Sequence, residues 1–82
     1  MAITITRPTQ SSTFTDGTGR NAVVRNSGGE HFLISEVHRG VAPGHRIDET
    51  LVFPCDPEGN VTDWSEVFSG SSVEDVLQNF RG

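Results

Sequence analysis

The chain has 82 residues, with 11 acidic against six basic side chains, a net charge of −5 and a single cysteine. That length is read as one domain, residues 1–82, near the lower limit at which an apolar core suffices, and one thiol excludes an internal disulfide framework. The negative balance argues against general nucleic-acid binding, which needs a basic surface to displace counterions, and no stretch approaches membrane-spanning length.

The N-terminal Met1–Thr6 lacks the basic-then-apolar pattern of a secretory leader, so the expected compartment is the cytoplasm. Ile3 and Ile5 alternate with Thr4 and Thr6, a short strand that Pro8 is expected to end. Thr9 to Gly19 is polar and turn-rich, with Asp16-Gly17 suited to a hairpin turn and Phe14 as its one large apolar residue. A loop is expected there, with residues 1–19 partly mobile. Arg20–Arg25 reads as a short strand and Asn26-Ser27-Gly28-Gly29 as a turn.

The organising stretch is Glu30–Pro54, two arms rich in β-branched and aromatic residues around Gly40-Val41-Ala42-Pro43-Gly44. A hairpin symmetric about that turn sets Val37 against Ile47, Leu33 against Leu51 and His31 against Phe53, on one face that is the expected core. The other face, with Phe32, Ile34 and Val52 near the base and charges toward the tip, is expected to be at most half buried. After Pro54 a turn at Cys55–Asn60 leads to a short strand at Asn60–Thr62 and then irregular chain. Trp64 reads either as the main core residue beneath the helix or as an interface anchor, with the core reading ahead. Ser71-Ser72-Val73-Glu74 has capping-box spacing, and Val73, Val76, Leu77 and Phe80 follow at i, i+3, i+4 and i+7, an amphipathic helix. The expected fold is α+β: a small antiparallel β-sheet, a meander of three to four strands, packed by one short C-terminal α-helix.

Chemistry is sparse. His31, His38 and His45 recur every seven residues, but odd spacing on a strand divides His31 from His38, and no Cys-x-x-Cys or His-x-x-x-His accompanies them, so no metal site is expected. Ser35, Ser65 and Cys55 lie in no nucleophile motif, and no catalytic residues or cofactor are assigned. His38, Arg39, His45 and Arg46 bracket the hairpin turn and form a candidate contact for a small anionic ligand such as a nucleotide signal. The alternative is that Arg39 and Arg46 pair with Glu36, Asp48 or Glu49. Charge is divided along the chain: residues 1–47 hold five arginines against three acids, and residues 48–82 hold Arg81 against eight acids. There is no lysine.

Glu49-Thr50-Leu51-Val52-Phe53-Pro54, followed by Val61-Thr62-Asp63-Trp64-Ser65-Glu66, resembles a pattern in a group of small proteins of bacteriophages that infect actinobacteria. Ser35-Glu36-Val37, the Gly40–Gly44 turn and Ser72–Phe80 match the same order, so the resemblance covers about Leu33 to Phe80 and leaves residues 1–29 outside. The helix is shorter than in the group. The resemblance implies origin and not mechanism: a non-enzymatic phage accessory protein, in the cytoplasm of an infected bacterium, that binds a host or phage protein and counters a host defence system. The candidate contacts for such a partner are Asp48, Glu49, Asp63, Trp64 and Glu66. A homodimer is a further expectation, because a small sheet leaves edge strands open to pairing.

Overall fold

The computed structural model describes residues 3–14, 17–42 and 45–81, and among these the surroundings of the side chains outside 12–18 and 37–48. Among the described residues, five antiparallel strands lie side by side in chain order: β1 (Thr4–Phe14), β2 (Gly17–Arg25), β3 (His31–Ala42), β4 (His45–Cys55) and β5 (Phe68–Gly70). One helix, α1 (Val73–Asn79), follows β5 and packs on the sheet. The expected α+β meander is therefore present, with five strands rather than three to four.

The additional length lies at the N-terminus. Pro8 does not end β1, because the ladder to β2 shifts register between Ile5 and Arg7 and again between Arg7 and Gln10. Proline's missing N–H is tolerated at such an irregularity on an edge strand. The stretch expected to be a loop instead continues as a regular hairpin from Gln10 opposite Asn21 to Phe14 opposite Gly17. Asp16, half of the expected turn, and the surroundings of the Phe14 side chain lie outside the described residues.

In the main hairpin the strands run to Ala42 and His45, and the register is two residues away from the symmetric expectation. Leu33 faces Phe53, Val37 faces Glu49 and His31 faces Cys55. An even shift preserves which residues share a face, but the assignment of the core reverses. The deepest core is on the other face, where Ala22, Val24, Phe32, Ile34 and Val52 are buried beneath Val73, Val76 and Phe80. Helix α1 decides this, because its apolar stripe needs a matching apolar surface, and the even-numbered residues of β3 and β4 supply it near the base of the hairpin. Phe32 meets Phe80 edge-on at 5.1 Å between ring centroids, and Phe68 reaches the same ring at 5.3 Å.

A helix of this length does not persist alone. Burying Val73, Val76 and Phe80 contributes roughly 1.5–3 kcal/mol each, which holds it in place. Its N-cap is Ser72, one residue later than expected. The Ser72 Oγ accepts the Asp75 N–H at 3.0 Å, and the Asp75 carboxylate accepts the Ser71 N–H at 3.2 Å. Gly70 allows the chain to pass directly under that first turn, since a Cβ there would stand 2.6 Å from Asp75 Oδ2.

Two turns of the same design sit at one end of the sheet. Asn26 accepts the N–H groups of Gly28 and Glu30 through its side chain, and Asp56 accepts those of Glu58 and Asn60 in the same way. Each turn then uses a glycine with positive φ, Gly29 at 86° and Gly59 at 90°, where a Cβ would be disfavoured. The expected strand at Asn60–Thr62 is reduced to a single bridge between Cys55 and Val61, and pairing with β4 resumes only at β5.

The molecule measures 43 × 22 × 22 Å. Arg25, His31 and Cys55 lie in one row at the end that carries the two turns. The Phe14–Gly17 pair of β1 and β2 and the Ala42–His45 pair of β3 and β4 lie toward the opposite end. The described ladder between β2 and β3 stops at Asn21 and Ser35, so the two hairpins continue past it as separate arms.

Candidate protein-binding surface

The face of the sheet opposite α1 carries Arg7, Asn21 and Val23, then Leu33 and Ser35, then Leu51, Phe53 and Cys55. The segment from Asp56 to Val67 folds back over part of it. Gly59 lies against the Arg7 guanidinium and the Val23 methyl group, where an added Cβ would come within 2.9 and 3.1 Å. Arg7 donates from Nη2 to Asn21 Oδ1 at 2.9 Å. Val23, Phe53 and Cys55 are thereby buried, and Leu33 and Leu51 stay partly open.

Trp64 lies on this face and not beneath the helix, which corrects the expectation that it is the main core residue. Its indole meets the Phe53 ring at 5.2 Å and 64°, and the residue is 74% exposed. Val67, close by in sequence, is also half exposed. The reason is local: α1 begins only at Val73, and β5 leads into it on the other face, so the chain before Phe68 never passes under the helix. A large ring propped on one aromatic and open on its other side resembles the anchors of binding interfaces.

Around that ring the chain is acidic. Asp63 and Glu66 are exposed beside Trp64, Glu58 is exposed in the adjoining turn, and Glu49 is half-buried on β4. Among the described residues, the ion pairs join Arg20 to Glu36 and to Glu74, and none reaches Asp56, Glu58, Asp63 or Glu66. Asp56 is occupied by its turn, whose N–H groups, chiefly that of Asn60, hold its carboxyl below the usual range. Asp63 accepts the Ser65 N–H at 2.9 Å. The negative charge of this segment therefore faces outward. Of the five candidate partner contacts, the structure brings Asp63, Trp64 and Glu66 together on one segment and sets Glu49 on a neighbouring strand. The side chain of Asp48 lies outside the described residues.

The same holds for the candidate anion contact. Backbone register sets His38 opposite Asp48, Arg39 opposite Ile47, Gly40 opposite Arg46 and Ala42 opposite His45. The two arginines belong to one arm but are not cross-strand partners. The surroundings of their side chains, and of both histidines, lie outside the described residues.

Glu36, one of the acids expected to pair with Arg39 or Arg46, has Arg20 as a partner; the side chains of Arg39 and Arg46 lie outside the described residues. Glu36 is buried, and its carboxylate accepts from Arg20 Nε at 3.0 Å and Nη2 at 2.7 Å, and from the Val73 N–H at 3.3 Å. Arg20 also donates to Glu74 on α1 at 2.8 Å. The bidentate arginine lowers the Glu36 pKa to about 2. This cluster ties the fork between the arms to the start of the helix. Its sequence signal was available: Glu36 continues the even-numbered apolar series of Phe32 and Ile34, and a charge on an apolar face requires a partner.

Cys55 is buried against this lower face, which pushes its thiol pKa up and makes it a weak nucleophile at neutral pH. It lies opposite His31 in the ladder, but the described residues hold no group of three potential metal ligands. Among the described residues, no helix is long and apolar enough to cross a membrane. Comparison with known protein families, with characterised proteins and with solved structures finds no match to this chain.

Proposed function

We propose that this chain is a non-enzymatic protein-binding module, a bacteriophage accessory protein that engages a host or phage protein through the acidic face around Trp64 and so counters a host defence system. The observation that carries the reading is the Trp64 ring, supported from below by Phe53, open above, and flanked by Asp63 and Glu66 with no ion pair among the described residues. An exposed indole of this kind is costly to leave in water and supplies large contact area when covered. The surrounding carboxylates favour a basic partner, whose Lys or Arg side chains can lie on the indole face. Origin in a phage of actinobacteria is supported by the Glu49–Pro54 and Val61–Glu66 pattern alone.

The test is affinity capture from lysate of an actinobacterial host, with mass spectrometry of co-purifying proteins and of small molecules released on denaturation. One stoichiometric protein, lost with Trp64→Ala and with Asp63→Asn/Glu66→Gln but retained with Arg39→Ala/Arg46→Ala, is the expected result. A released nucleotide with no protein, abolished by Arg39→Ala/Arg46→Ala, overturns the proposal in favour of a sequestering role for the β3–β4 arm.

A further inference from the structure

We infer that the partner element seated beside Trp64 is a single amphipathic helix, which lies along an open strip of β3 and β4 with its basic flank against Asp63 and Glu66. The inference rests on the reading of this face as a protein-binding surface and names the kind of partner it takes.

The strip is what the chain leaves uncovered. Burial alternates along β3 and β4: Phe32, Ile34, Glu36, Thr50 and Val52, on the side of α1, are buried, whereas Leu33, Ser35, Glu49 and Leu51 are half-open. The register sets Leu33 against Phe53 and Ser35 against Leu51, so the open residues form consecutive rows of one face. The Asp56–Asn60 turn closes one end, with Gly59 against Arg7 and Val23, and Trp64 stands on Phe53 as a wall.

Backbone pairing excludes an added strand here. Leu33 lies between Val23 and Phe53, and Leu51 between Ser35 and Ser69, so both strands already have neighbours on each side. The strip offers side chains only, and a partner must bring a backbone that satisfies itself. Two strands ~4.8 Å apart, with their side chains, make a strip roughly 10 Å wide, which is the diameter of one helix and too narrow for a second sheet. From Glu49 to Phe53 is about 13 Å, room for two helical turns, so apolar residues at i, i+3, i+4 and i+7 can meet Leu51, Leu33 and Trp64. The opposite face of the same two strands already takes a helix in this way, α1 on Phe32, Ile34 and Val52.

Charge sets the orientation. Asp63 and Glu66 border the strip on the β4 side, with Glu49 on the same face of β4 as Leu51, and Arg7 borders it on the β2 side. The two flanks differ in sign, so a helix with Lys or Arg along one side of its apolar stripe fits in one orientation.

Selection of displayed peptides on the immobilised full chain tests this. Two libraries of peptides of about 15 residues, free of tryptophan, are used. One fixes Leu at i, i+3, i+4 and i+7, the other fixes Leu at alternate positions, and both leave the rest random. The helical library is expected to yield binders with Lys or Arg on one flank of the stripe. They should gain helix in circular dichroism and move the emission of Trp64, the only tryptophan, to shorter wavelength. Replacing their basic residues with Glu should weaken binding about tenfold, and so should Leu33→Ala/Leu51→Ala. Melting midpoints separate lost contact from lost fold in that variant, and the charge-reversed peptides test the same face on the wild-type chain. No binders from the helical library, binders chiefly from the alternating library, or helical binders indifferent to charge reversal overturn the inference. A host protein that is captured through Trp64 but not displaced by the selected helices removes this inference and leaves the proposed function standing. Basic helices that bind a chain capturing no host or phage protein do the reverse.

Discussion

Thr50 is the least expected residue of the core. It is fully buried next to Glu36 in the ladder, and its hydroxyl has no hydrogen-bond partner. A buried hydroxyl without a partner costs on the order of 1–3 kcal/mol relative to water, whereas valine has nearly the same shape and nothing to satisfy. Thr50→Val is therefore expected to raise stability by about 1 kcal/mol, which in a domain of this size moves the melting midpoint up by roughly 4–8 °C. Thermal unfolding followed by circular dichroism checks it, and an unchanged or lowered midpoint contradicts it. Trp64 presents the opposite case, an apolar ring on the outside. Trp64→Ala should leave the melting midpoint within about 0.5 kcal/mol of wild type, as surface substitutions do, so that any lost binding belongs to the interface and not to the fold.

At the scale of elements, the twin turns offer an internal comparison. Gly29 and Gly59 share a positive φ near 90°, but a Cβ at Gly29 meets nothing within 4 Å and a Cβ at Gly59 meets Arg7 at 2.9 Å and Val23 at 3.1 Å. Gly29→Ala should cost about 1–2 kcal/mol, the backbone term alone. Gly59→Ala should cost more, because the loop must also lift from the sheet, and urea unfolding of the two variants side by side measures the difference. Equal losses would mean that the loop over Val23 contributes nothing. The helix shows why some elements were legible in the sequence and others were not. Its cap, its acidic first turn and its apolar spacing are local signals, and all lie within one residue of where they were expected. The face it covers is not a local property. Phe32, Ile34 and Val52 and the opposite set of Leu33, Leu51 and Phe53 are equally apolar, and only the docking of Val73, Val76 and Phe80 distinguishes them. Likewise β5, three residues with a serine and a glycine, has no propensity of its own and is a strand because β4 offers an edge. Truncating the ring that holds the helix, Phe80→Ala, should cost about 3–5 kcal/mol. That is a large share of what a domain of this size has, and Leu77→Ala at the half-buried margin should cost clearly less.

For the whole molecule, acid unfolding separates one specific contact from the general charge. Below about pH 4 the carboxylates protonate while the six arginines stay charged, so the chain passes from net negative to strongly positive and repels itself. Glu36 adds a separate contribution. Its folded pKa of about 2 lies below the usual 4.5, so the stability it confers is fully present above pH 4.5 and is lost as pH falls toward 2. With Arg20 partly exposed and screened, that contribution is on the order of 2 kcal/mol. Glu36→Gln keeps the general repulsion and removes the specific contribution. Its unfolding free energy should lie below wild type at pH 7, because Arg20 and the start of α1 lose their shared anchor, and should approach wild type by pH 2.5. Urea titrations of both chains at pH 7, 4.5 and 2.5 decide the matter: curves that stay parallel down to pH 2.5 would show that Glu36 is only one carboxylate among eleven, whereas convergence identifies it as the group that fixes the helix to the fork of the sheet.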